Sequence, residues 1–136
     1  MKKEYIELYN KAVEAMNNAY SPYSKFKVGA SVLLDDGNIL NGFNIENASY
    51  GLTNCAERNC LFRAYMEGYK KENIKMLLVV ADTSLPVSPC GSCRQVMQEL
   101  MEANTLVILA NLKGDIKETT VDSLLPFNFN SEDLNV

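Results

Sequence analysis

Three of the four cysteines in this 136-residue chain lie in two short segments with the spacing of a metal site. Cys90 and Cys93 have the C-x2-C spacing that places two sulfurs on one metal ion, and Cys55 offers a third sulfur. Zinc held by three protein ligands keeps its fourth position for water and lowers the pKa of that water towards neutrality. The three cysteines therefore predict one zinc ion per chain, at a site open to hydrolytic chemistry.

Glu57 is well placed to move protons at such a site. It lies two residues after Cys55, in the first turn of the same predicted helix. The chain contains no histidine, which excludes Ser-His-Asp and Cys-His catalysis and every histidine-ligated metal site. Acid–base chemistry near neutral pH then depends on a carboxylate, a lysine, a thiol or metal-bound water. We therefore predict that Glu57 takes a proton from the water and passes it to the substrate.

Positive charge close to the cysteines favours their ionised form. Three thiolates around a divalent zinc ion leave a net charge of about −1. Arg58 and Arg94 each lie within one turn of a predicted ligand, where they can offset this charge. Each cysteine segment also opens a predicted helix, whose N-terminal N–H groups and dipole stabilise a thiolate.

Apolar periodicity and turn signals predict the elements that position these residues. The predicted helices cover residues 4–20, 55–68, 90–101 and 121–125, and the predicted strands cover residues 25–34, 39–44, 76–81, 106–110 and 115–120. Asn54 is the predicted cap of the second helix, and Gly68 suits its C-terminal end. The order of elements predicts one domain (1–136) with a three-layer α/β/α fold around a central mixed five-stranded sheet. The pairing order of the strands does not follow from the sequence.

Composition narrows the class of partner. The chain has 13 basic and 17 acidic residues and a net charge of −4, which argues against a nucleic-acid partner. No apolar run approaches the roughly 20 residues of a membrane-spanning helix. Acidic residues near the N-terminus break any signal-peptide pattern. We therefore expect a cytoplasmic protein with reduced cysteines, no membrane partner and a small-molecule substrate.

The segments around these residues resemble the cytidine deaminase family, in its small all-cysteine class. C-A-E-R at residues 55–58 and P-C-G-S-C-R at residues 89–94 are similar to the zinc-binding signature of the family. The similarity also includes S-P-Y-S-K-F-K-V-G-A at residues 21–30 and G-F-N-I-E-N-A-S-Y at residues 42–50. The resemblance implies hydrolytic deamination of cytidine and deoxycytidine to uridine and deoxyuridine, with release of ammonia, in pyrimidine salvage.

The resemblance also implies roles for the residues of the metal site. Cys55, Cys90 and Cys93 resemble the zinc ligands of the family, and Glu57 resembles its proton shuttle. Arg58 is similar to the residue that donates hydrogen bonds to the ligand thiolates.

Substrate contacts are implied in the same way. Asn44 and Glu46 resemble the pair that binds the ribose hydroxyls, and their i, i+2 spacing on an extended segment places both on one side. Phe26 resembles the aromatic residue that packs on the base. Ala56 resembles a small residue whose N–H can approach the pyrimidine oxygen. Phe129 resembles an aromatic residue that reaches a neighbouring subunit's site, which implies a homotetramer with sites at subunit interfaces.

Three other interpretations stay open at this point. Cys60, a departure from the family pattern, could be the fourth ligand of a closed structural zinc site, although helical geometry turns it about 140° away from Cys55. C-G-S-C at the start of a helix is also typical of thiol–disulfide oxidoreductases. The third interpretation is a deaminase of another aminated heterocycle, such as blasticidin S. The roles of Cys60, Tyr50 and Arg94 are left open.

Overall fold

The strands predicted from apolar patterning form one mixed sheet in the computed structural model, which describes residues 1–135. They are β1 (Val28–Leu34), β2 (Ile39–Phe43), β3 (Ile74–Ala81), β4 (Leu106–Asn111) and β5 (Ile116–Thr120). Their order in the sheet is β2-β1-β3-β4-β5. Only the central β3–β4 pair is parallel among the strand pairs of residues 1–135, and the other neighbours are antiparallel. The mixed five-stranded sheet is therefore confirmed.

Helices cover both faces of this sheet. They are α1 (Lys3–Asn17), α2 (Ala56–Met66), α3 (Gly91–Leu100) and the short α4 (Val121–Leu124). The apolar side of α1 packs on one face, where it meets Leu78 and Val80 of β3. Helices α2, α3 and α4 pack on the other face, where they meet Leu77 and Val79. Because β3 is covered on both faces, its continuous apolar run is explained, and the three-layer fold is confirmed.

Two glycines let helices approach the sheet closely. A Cβ atom on Gly42 of β2 would lie 2.7 Å from the backbone nitrogen of Cys60 in α2, well inside contact distance. A Cβ on Gly29 of β1 would overlap the carbonyl oxygen of Ala12 in α1. Helix α2, which carries Glu57, therefore lies close against β2 because Gly42 has no side chain.

Several boundaries differ from the sequence prediction. Helix α1 ends at Asn17, and β1 begins only at Val28, because residues 21–25 form a turn in which Lys25 N–H donates to Ser21 O at 3.0 Å. Lys25 takes a left-handed conformation with φ of 61°. Ser21 and Pro22 mark the end of the helix, but no glycine indicates the left-handed residue of this turn.

The two predicted caps of α2 have different outcomes. Asn54 does not cap the helix: the N-cap is Cys55, and the backbone of Asn54 pairs with Ile45 instead. Gly68, with φ of 96°, follows the helix end as predicted. Its N–H bonds Tyr65 O while the next N–H bonds the carbonyl of residue 64, which is the Schellman arrangement.

Within residues 1–135, no helix combines the length and the apolar character that a membrane crossing requires.

Candidate active site

The N-termini of α2 and α3 converge and bring three cysteines together. Cys55 is the N-cap of α2 and Cys90 is the N-cap of α3, both with extended backbone angles. Neither side chain caps its own helix, so both sulfurs are available to a ligand. Cys93 lies one turn into α3 and is buried. The helix dipoles therefore favour negative charge where the sulfurs meet.

The geometry of the three sulfurs fits a zinc ion. The Sγ atoms of Cys55 and Cys90 are 3.7 Å apart, those of Cys90 and Cys93 are 3.5 Å apart, and all three lie within 4.8 Å of one another. Tetrahedral zinc with bonds of about 2.3 Å places its sulfur ligands roughly 3.8 Å apart. The predicted cluster is confirmed, and it fits one zinc ion per chain.

Cys60 is not part of this cluster. It is fully buried in α2, and its thiol lies 3.5 Å from the carbonyl oxygen of Leu40, to which it donates. Burial raises the pKa of the Cys60 thiol far above its usual range, which keeps it protonated. The interpretation as a closed site with four cysteine ligands is therefore wrong, for the helical reason given by the sequence: the side chain faces the sheet.

Hydrogen bonding among the thiols shifts the pKa values of Cys55 and Cys93 in opposite directions. A hydrogen bond from the Cys93 thiol lowers the pKa of Cys55 to about 5, and Arg58 assists. The same hydrogen bond raises the pKa of Cys93. Arg58 Nη2 donates to Cys55 Sγ at 3.4 Å, while its buried Nε has no partner among residues 1–135. Arg58 is thus where the sequence predicted it, next to a ligand thiolate.

Arg94 has a different position. Its guanidinium donates to Pro89 O at 2.9 Å, Ser88 Oγ at 2.7 Å and Leu124 O at 2.9 Å. All three partners are neutral oxygens, and none of these bonds involves a cysteine. Arg94 therefore ties the loop before α3 to the end of α4, and the expectation that it offsets the thiolate charge directly is not met.

Glu57 lies beside the sulfurs and is only 4% exposed. Burial raises the pKa of its carboxyl to about 7, although its own backbone N–H favours the charged form; the charge of Cys55 raises the pKa further. A carboxyl group with a pKa near neutrality both accepts and releases a proton easily. Glu57 therefore has the environment that a proton-transfer group needs.

A cavity of about 260 Å³ opens onto this cluster. Its lining contains five of the residues predicted to contact substrate or protons and two of the cysteines. They are Phe26, Asn44, Glu46, Ala56, Glu57, Cys55 and Cys90. Ser24, Val28, Thr53, Val87 and Ser88 complete the lining and were not singled out from the sequence. The sequence signal for Ser24 is its place two residues before Phe26 in the matched segment, which does not by itself indicate a role.

Asn44 joins the two strand ends at the cavity. It is 7% exposed, its Oδ1 accepts from Val28 N–H at 2.9 Å, and its Nδ2 donates to Phe26 O at 2.8 Å. One N–H and one lone pair of the amide stay available to a ligand.

The carboxylate of Glu46 is held by the turn before β1. Its Oε1 accepts from the N–H groups of Tyr23 and Ser24, each at 3.0 Å, and its Oε2 accepts from the Ser24 hydroxyl. These hydrogen bonds, that of the Ser24 hydroxyl above all, lower the pKa of Glu46. The residue is therefore ionised at neutral pH, and it lines the cavity.

Phe129, predicted to reach a neighbouring site, and Tyr50, whose role was left open, both lie apart from this cavity. Phe129 is 57% exposed, and its carbonyl accepts from Gln95 Nε2 at 2.8 Å. Tyr50 is 74% exposed, lines an adjacent cavity and makes an edge contact with Tyr23, with ring centroids 6.0 Å apart. Neither residue lines the cavity that opens onto the sulfurs.

Comparisons with known proteins agree with this geometry. Residues 2–110 match the family model described as cytidine and deoxycytidylate deaminase zinc-binding region. A cytidine deaminase of Halalkalibacterium halodurans is 57% identical over 128 residues, which cover 94% of this chain and 96% of the relative. One of Sporosarcina psychrophila is 53% identical, with 95% and 93% covered.

Solved structures give the same result. The crystal structure of a cytidine deaminase from Burkholderia pseudomallei superposes with a TM-score of 0.89 at 46% identity and covers 95% of this chain and 100% of its own. That of Mycobacterium tuberculosis has a TM-score of 0.80 at 34% identity, covering 95% and 99%. These matches leave the oxidoreductase interpretation without support, because the matched family model is a zinc-binding region of deaminases and the similar proteins are cytidine deaminases. The chain therefore belongs to the cytidine deaminase family.

Proposed function

We propose that this enzyme hydrolyses both cytidine and deoxycytidine, to uridine and deoxyuridine, within pyrimidine salvage. Water adds at C4 of the base, and the exocyclic amine leaves as ammonia. The observation that carries this proposal is the shared cavity, whose lining includes Glu57 and two of the clustered cysteines together with Asn44 and Glu46. The whole chain acts as one domain in this proposal, in a cytoplasm that keeps its thiols reduced.

Proton movement is assigned to Glu57. Cys55, Cys90 and Cys93 would hold zinc, which when bound would supply the Lewis acidity that makes water nucleophilic near neutral pH. Glu57 accepts the proton that this water releases and donates it to N3 of the ring, which makes C4 more electrophilic. The same carboxyl group then transfers the second proton of the water to the departing amine. The carboxylate ends the cycle as it began.

Orientation of the nucleoside is assigned to the strand ends. Asn44 has one free N–H and one free lone pair, and Glu46 keeps one acceptor site on Oε2, so both can bind ribose hydroxyls. Phe26 lies along the cavity wall, where its ring can pack on the base. Ala56 is fully buried and carries no bulk beyond Cβ, so its N–H can face the pyrimidine oxygen. These contacts would hold C4 next to Glu57.

A nucleotide substrate is disfavoured by the lining of the cavity. No lysine or arginine is among its lining residues within the described part of the chain, so a phosphate would find no cation there. The acidic Glu46 would also repel it. Blasticidin S is the alternative substrate that the cavity alone does not separate from cytidine.

We also assign a homotetramer with sites at subunit interfaces. Phe129 and Phe127 are exposed at 57% and 106%, and Tyr50 at 74%, which is costly for large aromatic side chains unless a partner covers them. Phe129 would reach the site of a neighbouring chain, since it does not line the cavity of its own.

Ultraviolet absorbance with five substrates tests the proposed reaction. Cytidine, deoxycytidine, CMP, adenosine and blasticidin S are offered separately to zinc-loaded enzyme, and ammonia release is measured in parallel. We expect turnover of cytidine and deoxycytidine at comparable kcat/KM and little or none for CMP and adenosine. Higher kcat/KM for blasticidin S than for cytidine would replace the proposed substrate while leaving the chemistry in place.

A further inference from the structure

The hydroxyl of Ser24 connects two residues with different proposed roles in substrate binding. It donates to Glu46 Oε2 and accepts from Phe26 N–H at 3.0 Å. A serine hydroxyl has one proton to donate. Here the hydroxyl donates that proton in a hydrogen bond to the carboxylate of Glu46, and one of its lone pairs accepts from the backbone N–H of Phe26. The ribose-binding carboxylate and the backbone of the base-binding residue are therefore held by one oxygen atom.

The acceptor sites of Glu46 are nearly all taken by the same turn. A carboxylate has about four lone-pair sites. Two on Oε1 accept the N–H groups of Tyr23 and Ser24, and one on Oε2 accepts the Ser24 hydroxyl. One site on Oε2 is left for a ligand. The Ser24 hydroxyl therefore decides which way the remaining lone pair of the ribose-binding oxygen points.

The backbone of Phe26 is hydrogen-bonded on both its N–H and its carbonyl group. Ser24 Oγ takes its N–H, and Asn44 Nδ2 donates to its carbonyl at 2.8 Å. Between Ser24 and Phe26 lies Lys25, which has the left-handed φ of 61°. A non-glycine residue keeps this conformation only where its surroundings hold it, and the hydrogen bond from Phe26 N–H to Ser24 Oγ spans this position.

We infer that Ser24 is a positioning residue that couples ribose recognition to base placement by orienting Glu46 and Phe26 together. The side chain of Ser24 contacts Glu46 and Phe26, and it has no proposed contact with the sulfur cluster or the reacting carbon. This inference rests on the proposed ribose-binding role of Glu46. Loss of the Ser24 hydroxyl should therefore reduce the preference of the enzyme for substrates that carry ribose hydroxyls. This loss of preference should exceed any general loss of activity.

Steady-state kinetics measure this preference directly, with cytidine and with 2′,3′-dideoxycytidine as substrates. The second substrate lacks the 2′- and 3′-hydroxyls of the ribose. The ratio of the two kcat/KM values is compared among wild-type enzyme, Ser24→Ala, Ser24→Thr and Glu46→Ala, with zinc content and melting temperature recorded for each. Ser84→Ala is the matched control, because Ser84 is exposed and does not line the cavity.

We expect Ser24→Ala to lower the ratio about tenfold, chiefly through KM for cytidine, as for loss of a charge-assisted hydrogen bond. Ser24→Thr, which keeps the hydroxyl, should restore the ratio, and Ser84→Ala should leave it unchanged. The double variant Ser24→Ala/Glu46→Ala should show the same ratio as Glu46→Ala alone.

Two outcomes would overturn the inference, and they differ in whether the proposed ribose-binding role of Glu46 survives. If Ser24→Ala lowers both kcat/KM values equally while Glu46→Ala lowers the ratio, Ser24 is structural only and the proposed role of Glu46 stands. If Glu46→Ala leaves the ratio unchanged, the ribose-binding role itself is lost, and the coupling to Ser24 is lost with it.

Discussion

Arg58 and Arg94 each follow a cysteine closely in the chain, but the structure separates their contacts. Arg58 donates to the sulfur of Cys55, whereas Arg94 donates only to neutral oxygens of residues 88, 89 and 124. A partner of a metal ligand tunes the charge and orientation of that ligand. The two residues therefore form a natural pair for comparison.

Arg58→Ala should weaken zinc binding by about 10- to 100-fold, since a contact to a ligand thiolate is lost. Arg94→Ala should instead lower the free energy of unfolding by about 1–3 kcal/mol, because two carbonyl groups and a hydroxyl lose their donor. Chelator competition measures the first effect, and urea unfolding of the zinc-loaded protein measures the second. Equal weakening of zinc binding by both variants would contradict the distinction.

At the scale of elements, the approach of α2 to β2 determines where Cys55 and Glu57 lie. Gly42 permits this approach, because any side chain at that position would collide with the backbone of α2 at Cys60. The space that a metal site requires is thus set partly by a residue that does not contact it.

Gly42→Ala should lower the free energy of unfolding by about 1–3 kcal/mol, the usual cost of overpacking, and should also weaken zinc binding. Gly51→Ala is the control, because a Cβ there would meet nothing within 4 Å. Thermal unfolding and zinc content check both. A Gly42→Ala protein with wild-type stability and zinc affinity would show that α2 does not depend on this contact.

Local patterns predict the elements well and their connections less well. The apolar run of β3 and the stripe of α1 are strong signals, so helices and strands lie at nearly the predicted positions. The strand predicted from residue 25 begins only at Val28, because the left-handed Lys25 has no glycine to mark the turn. The pairing order β2-β1-β3-β4-β5 depends on tertiary contacts that no local pattern contains.

Part of the candidate site can be predicted from the chemistry of its residues, and part cannot. Cysteine spacing and Glu57 follow from chemistry in a short segment, and the structure brings them together. Asn44, Glu46 and Phe26 come only from the resemblance to a known family, since each is ordinary when taken alone. The role of Ser24 could not be predicted, because it depends on hydrogen bonds to Phe26 and to Glu46 that the sequence does not show.

At the scale of the whole molecule, the proposed tetramer would have the exposed Phe129 of one chain complete the site of its neighbour. This can be tested by complementation between two defective variants. Phe129→Ala should raise KM while zinc stays bound, and Glu57→Gln should lack turnover. A hybrid in which a Phe129→Ala chain sits beside a Glu57→Gln chain contains a site with both wild-type residues.

Co-expression of the two variants should therefore restore normal KM at about a quarter of the sites, if chains mix at random in a symmetric tetramer. Activity of the mixture is compared with the average of the two separately purified variants, and sedimentation gives the number of chains. Activity equal to that average would mean that each chain supplies its own complete site.

The most direct test of the account is Glu57→Gln, with zinc content and cytidine turnover measured on the same sample. Glutamine preserves the size of the side chain but cannot transfer a proton, so the site should still hold one zinc ion per chain. We predict that kcat falls by at least about 10³-fold while the zinc content is unchanged. A zinc-loaded Glu57→Gln enzyme with near-normal turnover would contradict the assignment of proton transfer to this residue.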